Sequence, residues 1–141
     1  MITMAFPGRF SSLDAIRNFY ARAGEQAGLD KDSIADVELA VDEAASNIIG
    51  HAYGGEGKGE IECSYRVLPE GLEVIMHDHG KPFDPEEVSP PDLTSDVCCR
   101  EPGGLGLHFM KSLMDSVEFS FNGHGGNLLT MTKFQKRAVK P

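Results

Sequence analysis

Apolar positions along this chain switch between a period near two and a period near 3.6, and the switches divide it into elements. The opening stretch, 2–6, reads as a short edge strand that ends at Pro7. Leu13, Ile16, Phe19/Tyr20 and Ala23 then recur at helical spacing up to about Ala27. Ser11 is placed as the N-cap of that helix, with Asp14 as a weak capping-box partner and Gly28 as the stop. Asp30 or Asp32 caps a second helix that runs to about Ala52, with Ile34, Val37, Val41, Ala44 and Ile48 forming one apolar stripe for a sheet to cover. Glu43, Asn47 and Gly50/His51 fall on the neighbouring, polar side of the same helix.

Beyond a glycine-rich stretch at 54–59, read as a mobile turn, the period falls to two. Strands are predicted over 61–67 and 72–77, joined by a tight hairpin at Pro69-Glu70-Gly71. Residues 81–102 carry Pro82, Pro85, Pro90, Pro91 and Pro102, which argues against regular structure there. A third helix is predicted over 105–114, then strands over 117–121 and 128–134 around a turn at 123–126. The order β-α-α-β-β-loop-α-β-β predicts one α+β domain over residues 1–141. Its expected architecture is a two-layer α/β sandwich, a mixed, mainly antiparallel sheet with helices on one face. Repeated βαβ crossovers, which a Rossmann fold needs, are missing.

Composition narrows the partners more than the fold. Thirteen basic against 22 acidic side chains give a net charge of −9, which repels nucleic acid, since binding it requires lysines and arginines to neutralise phosphates. No apolar run approaches the ~20 residues of a transmembrane helix, so no membrane partner is expected. The opening MITMAFPGRF has no signal-peptide pattern, which predicts a cytoplasmic protein. Cys63, Cys98 and Cys99, odd in number and irregular in spacing, fit a reducing compartment.

Three segments carry chemistry. In ELAVDEAASNIIGHAY, Glu43 and Asn47 lie four apart, so a carboxylate and an amide project side by side. An amide oxygen is a neutral hard ligand suited to Mg²⁺, and the carboxylate one turn away can take a proton. At the end of an apolar strand stands Asp78-His79-Gly80, followed by Lys81-Pro82-Phe83-Asp84-Pro85. An acid there can accept from an exocyclic amine such as that of adenine, and a glycine permits close approach. Third, Gly103-Gly104-Leu105-Gly106 opens a helix, where backbone N–H groups can hold phosphate oxygens without a basic side chain. Each segment also has an ordinary structural reading: a solvated helix face, a strand-ending turn, a flexible loop.

In this order and spacing, the segments resemble the N, G1 and G2 boxes of the GHKL (Bergerat-fold) ATPases, and within them the small anti-sigma-factor serine kinases. The resemblance covers roughly residues 10–135. It implies an ATP-dependent serine/threonine protein kinase and anti-sigma regulator with Mg²⁺-ATP as cofactor. A small anti-sigma-factor antagonist would be the phosphoacceptor, with a sigma factor and a second copy of the chain as further partners. By the same resemblance Asn47 would ligate Mg²⁺, Glu43 would act as general base, and Asp78 would read adenine with Gly80 and Phe83 beside it. Gly103, Gly104, Leu105 and Gly106 would wrap the phosphates beneath a lid at 84–102, and Arg100 would face the γ-phosphate. The family's closing hairpin usually carries Gly-Thr, whereas this chain has Gly126-Asn127, so Asn127 is assigned to the adenine site.

Two other functions compete with this one: an ATP-responsive module that sequesters its partner without phosphoryl transfer, and a detached histidine-kinase catalytic domain. Gly54–Gly59 does not match a Walker A loop, and His77 with His79 lacks an evident third metal ligand.

Overall fold

The computed structural model describes residues 1–81, 102–121 and 125–136, the side chains of 102–107 excepted. Strand β1 (Ile2–Pro7) leads through a 3₁₀ turn at Phe10–Ser12 into α1 (Leu13–Gln26). Helix α2 (Lys31–Asn47) continues into a π turn at Ile48–Ala52. The hairpin β2 (Glu60–Leu68) and β3 (Gly71–Asp78) follows. Helix α3 (Pro102–Leu113) precedes the closing pair β4 (Ser116–Phe121) and β5 (Asn127–Phe134).

The strands form one five-stranded sheet in the order β1-β2-β3-β5-β4. Every pairing is antiparallel, so the mixed component allowed from sequence is not observed among the described residues. Cys63, Met76, Leu129 and Phe119 are successive partners across the sheet and therefore share one face. That face and the stripe Val37, Val41, Ala44 and Ile48 of α2 enter a single core with Ile16 and Tyr20 of α1. Phe19 meets Phe6, Tyr20 and Tyr65 edge-on, with ring centroids 5.0–5.8 Å apart.

The helix ends show how local chemistry sets the turns. Ser11 does not cap α1. The chain enters through the 3₁₀ turn instead, the Ser12 N–H donates to the Arg9 carbonyl, and no side chain caps the helix. Gly28 terminates α1 at φ +77°, a left-handed conformation natural to glycine, and Leu29 N–H reaches back to the Gly24 carbonyl at 3.0 Å. Of the two acids proposed for the α2 cap, Asp30 does it, accepting from Ser33 N–H at 2.8 Å. That hydrogen bond to the backbone holds the Asp30 carboxyl below its ordinary range.

The glycine-rich stretch is tied rather than loose. Gly54, Gly55 and Gly57 adopt positive φ, and Gly55 N–H and Gly57 N–H donate to the carbonyls of Ile49 and Gly8. No helix among the described residues is long and apolar enough to cross a membrane.

Candidate functional site

The C-terminal ends of α2 and β3, the start of β5 and one face of α3 enclose a narrow apolar slot. Ala44, Ile48, Ala52, Met110, Phe119, Leu128 and Leu129 give it its apolar lining. Its polar lining is Asn47, Asp78 and Asn127. Three of the residues singled out from sequence, widely separated along the chain, thus meet in one cavity.

Asp78 is the last residue of β3 and Asn127 the first of β5, and the two are cross-strand partners. Both are nearly solvent-free, at 3% and 6% exposure. Asp78 Oδ1 accepts from Gly80 N–H at 2.8 Å and from Asn127 Nδ2 at 2.9 Å. Asn127 Nδ2 also donates to the Lys81 carbonyl at 2.6 Å. A buried carboxylate is tolerable only with such donors around it.

Asn47 is half-buried at the slot's edge, at the junction of α2 with the π turn. Glu43 lies one turn earlier, half-buried, and does not line the slot. Burial pushes its carboxyl above the ordinary glutamate range, and the neighbouring charge of Asp42 adds to this, while His51 opposes it.

Gly80 proves necessary for a reason that sequence did not show. A Cβ there would overlap the Ala52 backbone carbonyl, so the close neighbour it permits is the end of the π turn. Lys81 N–H donates to that same Ala52 carbonyl at 2.8 Å. At Gly126, φ is +82° and a Cβ would strike the Asp78 carbonyl, so only glycine lets β5 begin this close to the end of β3.

Tyr53 was not singled out from sequence, yet it braces the site. Its hydroxyl accepts from His79 N–H at 3.1 Å and donates to the Glu60 carbonyl at 2.5 Å. Its ring fills the space where a Cβ on Gly59 would stand. The sequence cue was weak, an aromatic residue just past a helix end and before glycines.

Helix α3 begins at Pro102, so Gly103, Gly104, Leu105 and Gly106 belong to its first turns rather than to a loop before it. Proline at the first helical position is favoured because its fixed φ suits the helix and its missing N–H has no intrahelical role there. Phe83, Arg100 and the lid read at 84–102 lie outside the described residues, as do Cys98 and Cys99, except for the lid's last residue, Pro102, which opens α3. His77 gives Nε2 to the Gly125 carbonyl, and among the described residues no group of three or more His, Cys, Asp or Glu could hold a metal.

Residues 6–133 match the model of a family described as the histidine kinase-like ATPase domain. The serine-protein kinase RsbW of Bacillus velezensis is 34% identical over 137 residues, covering 94% of this chain and 84% of that protein. RsbW of Listeria monocytogenes is also 34% identical, with 94% and 86% coverage, and RsbW of Bacillus subtilis is 33% identical, with 94% and 84%. Among solved structures, the RsbU and RsbW domains of Rv1364c from Mycobacterium tuberculosis align with a TM-score of 0.63 at 15% identity. That alignment covers 99% of this chain and 34% of the longer one. The histidine kinase AdeS of Acinetobacter baumannii aligns at 0.52 with 15% identity, over 97% of this chain and 69% of its own. At that identity the structural likeness speaks for the fold.

Proposed function

The chain belongs to the histidine kinase-like ATPase domain family, and from that membership we propose that it works as an ATP-dependent serine/threonine protein kinase and anti-sigma regulatory factor. Its likeness to serine-protein kinases RsbW along nearly its whole length supports the activity. For the site, the supporting observation is the convergence of Asn47, Asp78 and Asn127 on one apolar slot.

In this reading the slot takes the adenine. Its aliphatic walls remove water from the flat base, and Asp78 accepts from the exocyclic amine. The base sits at the slot's floor, so the phosphates extend past Asn47 toward the first turn of α3. Backbone N–H groups at that helix start receive phosphate oxygens, which suits a chain of net charge −9 that offers few cations.

A magnesium ion fits this donor set. Mg²⁺ keeps several waters and takes most other ligands from substrate phosphates, so one amide oxygen, that of Asn47, is enough from the protein. When bound, it neutralises charge on the phosphates. Glu43, one turn from Asn47, accepts the proton of the acceptor serine or threonine hydroxyl, and its raised pKa brings the base nearer neutral pH. Arg100, Phe83 and the lid segment complete the site in this proposal.

The phosphoacceptor is a small anti-sigma-factor antagonist, and a sigma factor is the second partner. We also read residues 1–141 as a single ATP-binding domain acting in the cytoplasm as a homodimer, which sedimentation velocity tests directly.

Calorimetric titration of ATP, with and without Mg²⁺, into wild type, Asn47→Ala and Asp78→Asn tests the pocket. Asp78→Asn should weaken ATP in both conditions, and Asn47→Ala only when Mg²⁺ is present. Undiminished binding in both variants removes the assignment. Incubation with Mg²⁺-ATP and candidate antagonists tests the activity separately, since ATP binding without any phosphorylated antagonist leaves the pocket and removes the kinase.

A further inference from the structure

The side chain of Asn127 does more than line the slot. Asp78 and Asn127 stand opposite each other at the end of the β3–β5 ladder, so their side chains leave the sheet on the same face. Asn127 meets two oxygens at once, Asp78 Oδ1 at 2.9 Å and the Lys81 carbonyl at 2.6 Å. A carbonyl oxygen only accepts, so the amide must present its NH₂ group on this side, one hydrogen to each oxygen. Gly80 N–H donates to the same Asp78 Oδ1 at 2.8 Å. Among the described residues, the hydrogen bonds to this carboxylate all fall on one of its two oxygens.

We infer that Asn127 is a positioning residue that sets the base preference of the slot. By holding Oδ1 against Gly80, it fixes the plane of the Asp78 carboxylate and reserves Oδ2 as an acceptor for the bound base. A slot whose fixed polar atom is an acceptor selects a base edge that donates, the amino group of adenine. It rejects a base that presents a carbonyl there, because two acceptors face each other with no hydrogen between them. A hydroxyl at position 127 has one hydrogen to give and cannot serve both oxygens. Asparagine therefore does what serine, threonine or alanine cannot: it holds Asp78 and the Lys81 segment together. This inference rests on the adenine reading of the slot.

The test is the ratio of affinities for ATP and inosine triphosphate, which differ at the purine 6-position, measured by calorimetry. Wild type should favour ATP. Asn127→Ala should weaken ATP by at least about tenfold while changing inosine triphosphate by less than about twofold, so that discrimination collapses. Asn127→Thr, with one donor, should fall between. Retention of the wild-type ratio in Asn127→Ala, or equal weakening of both nucleotides, overturns the proposal and leaves Asn127 a packing residue.

Should Asn127→Ala lose its cooperative melting transition, Asn127→Ser carries the comparison, with the intermediate ratio expected of a single donor. The wild-type ratio or equal weakening of both nucleotides in it overturns the proposal in the same way. Failure of the underlying reading looks different. In that case wild type itself shows no preference, or Asp78→Asn leaves the preference intact.

Discussion

Glu43 carries a charge that the fold half buries. Its carboxyl holds a proton to higher pH in the folded chain than in the unfolded one, because burial, and then Asp42, disfavour the charged form. The sign of the stability effect follows. The contribution of protonated Glu43 is fully present below the unfolded pKa and is lost as pH rises through the raised, folded value. Glutamine does not titrate, so the melting temperature of Glu43→Gln relative to wild type should rise between about pH 4 and pH 8. A variant-minus-wild-type difference that stays constant or falls would contradict this. Catalysis has the opposite need, since the base works only when ionised. The acid limb of kcat/KM for phosphoryl transfer should therefore lie above the ordinary glutamate value of about 4.3. A limb at or below that value would sink the assignment of Glu43 as base. Sequence spacing was sufficient to pair Glu43 with Asn47. It could not show that one of them lines the slot while the other stands beside it.

At the scale of elements, the site depends on two chain segments touching backbone to backbone. The π turn that ends α2 is pressed against the turn after β3 through Gly80 and the Ala52 carbonyl, and Tyr53 spans from His79 to Glu60. Gly80→Ala should therefore destabilise the fold by about 1–3 kcal/mol, as expected for a methyl group forced into filled space. Gly50→Ala is the matched comparison. Gly50 belongs to the same π turn, lacks a left-handed φ and has nothing within 4 Å of an added Cβ. It should be neutral or mildly stabilising, by up to about 1 kcal/mol. Chemical denaturation reads both, and equal effects at the two positions would refute the contact argument. Tyr53→Phe removes both hydroxyl bonds and should raise hydrogen exchange at the His79 amide more than in the β2–β3 ladder. Uniform acceleration across the sheet would instead mean that Tyr53 supports only global stability.

The molecule as a whole is one core closed by long-range ties, such as Lys133 bridging Asp36 at 3.0 Å and the Leu113 carbonyl at 2.5 Å. Cys63 belongs to that core, fully buried, and burial is the main reason its thiol is pushed up to about 12. With Cys98 and Cys99 replaced by serine, Cys63 should react with a thiol reagent on the order of a thousandfold more slowly in the native protein than in denaturant. Its labelling should follow global unfolding by circular dichroism. Fast native labelling would show that the sheet opens locally.

What the sequence by itself determined was local and periodic. The alternation in β2 and β3, the stripe of α2, Gly28 as a stop and Asp30 as one of two candidate caps were all legible, because each depends on neighbours within a turn or two. The resemblance to the ATPase family was legible too, since residue type and spacing carry it. Only the tertiary structure decided the rest. The antiparallel order of the described strands, with β5 between β3 and β4, depends on pairings far apart in the chain. So do the unexpected entry to α1, the partner of Gly80 and the brace from Tyr53. The bond between Asn127 and Asp78 is the sharpest case. Residues 49 positions apart meet there because a sheet register brings them opposite each other, and no local pattern encodes a register set by the whole core.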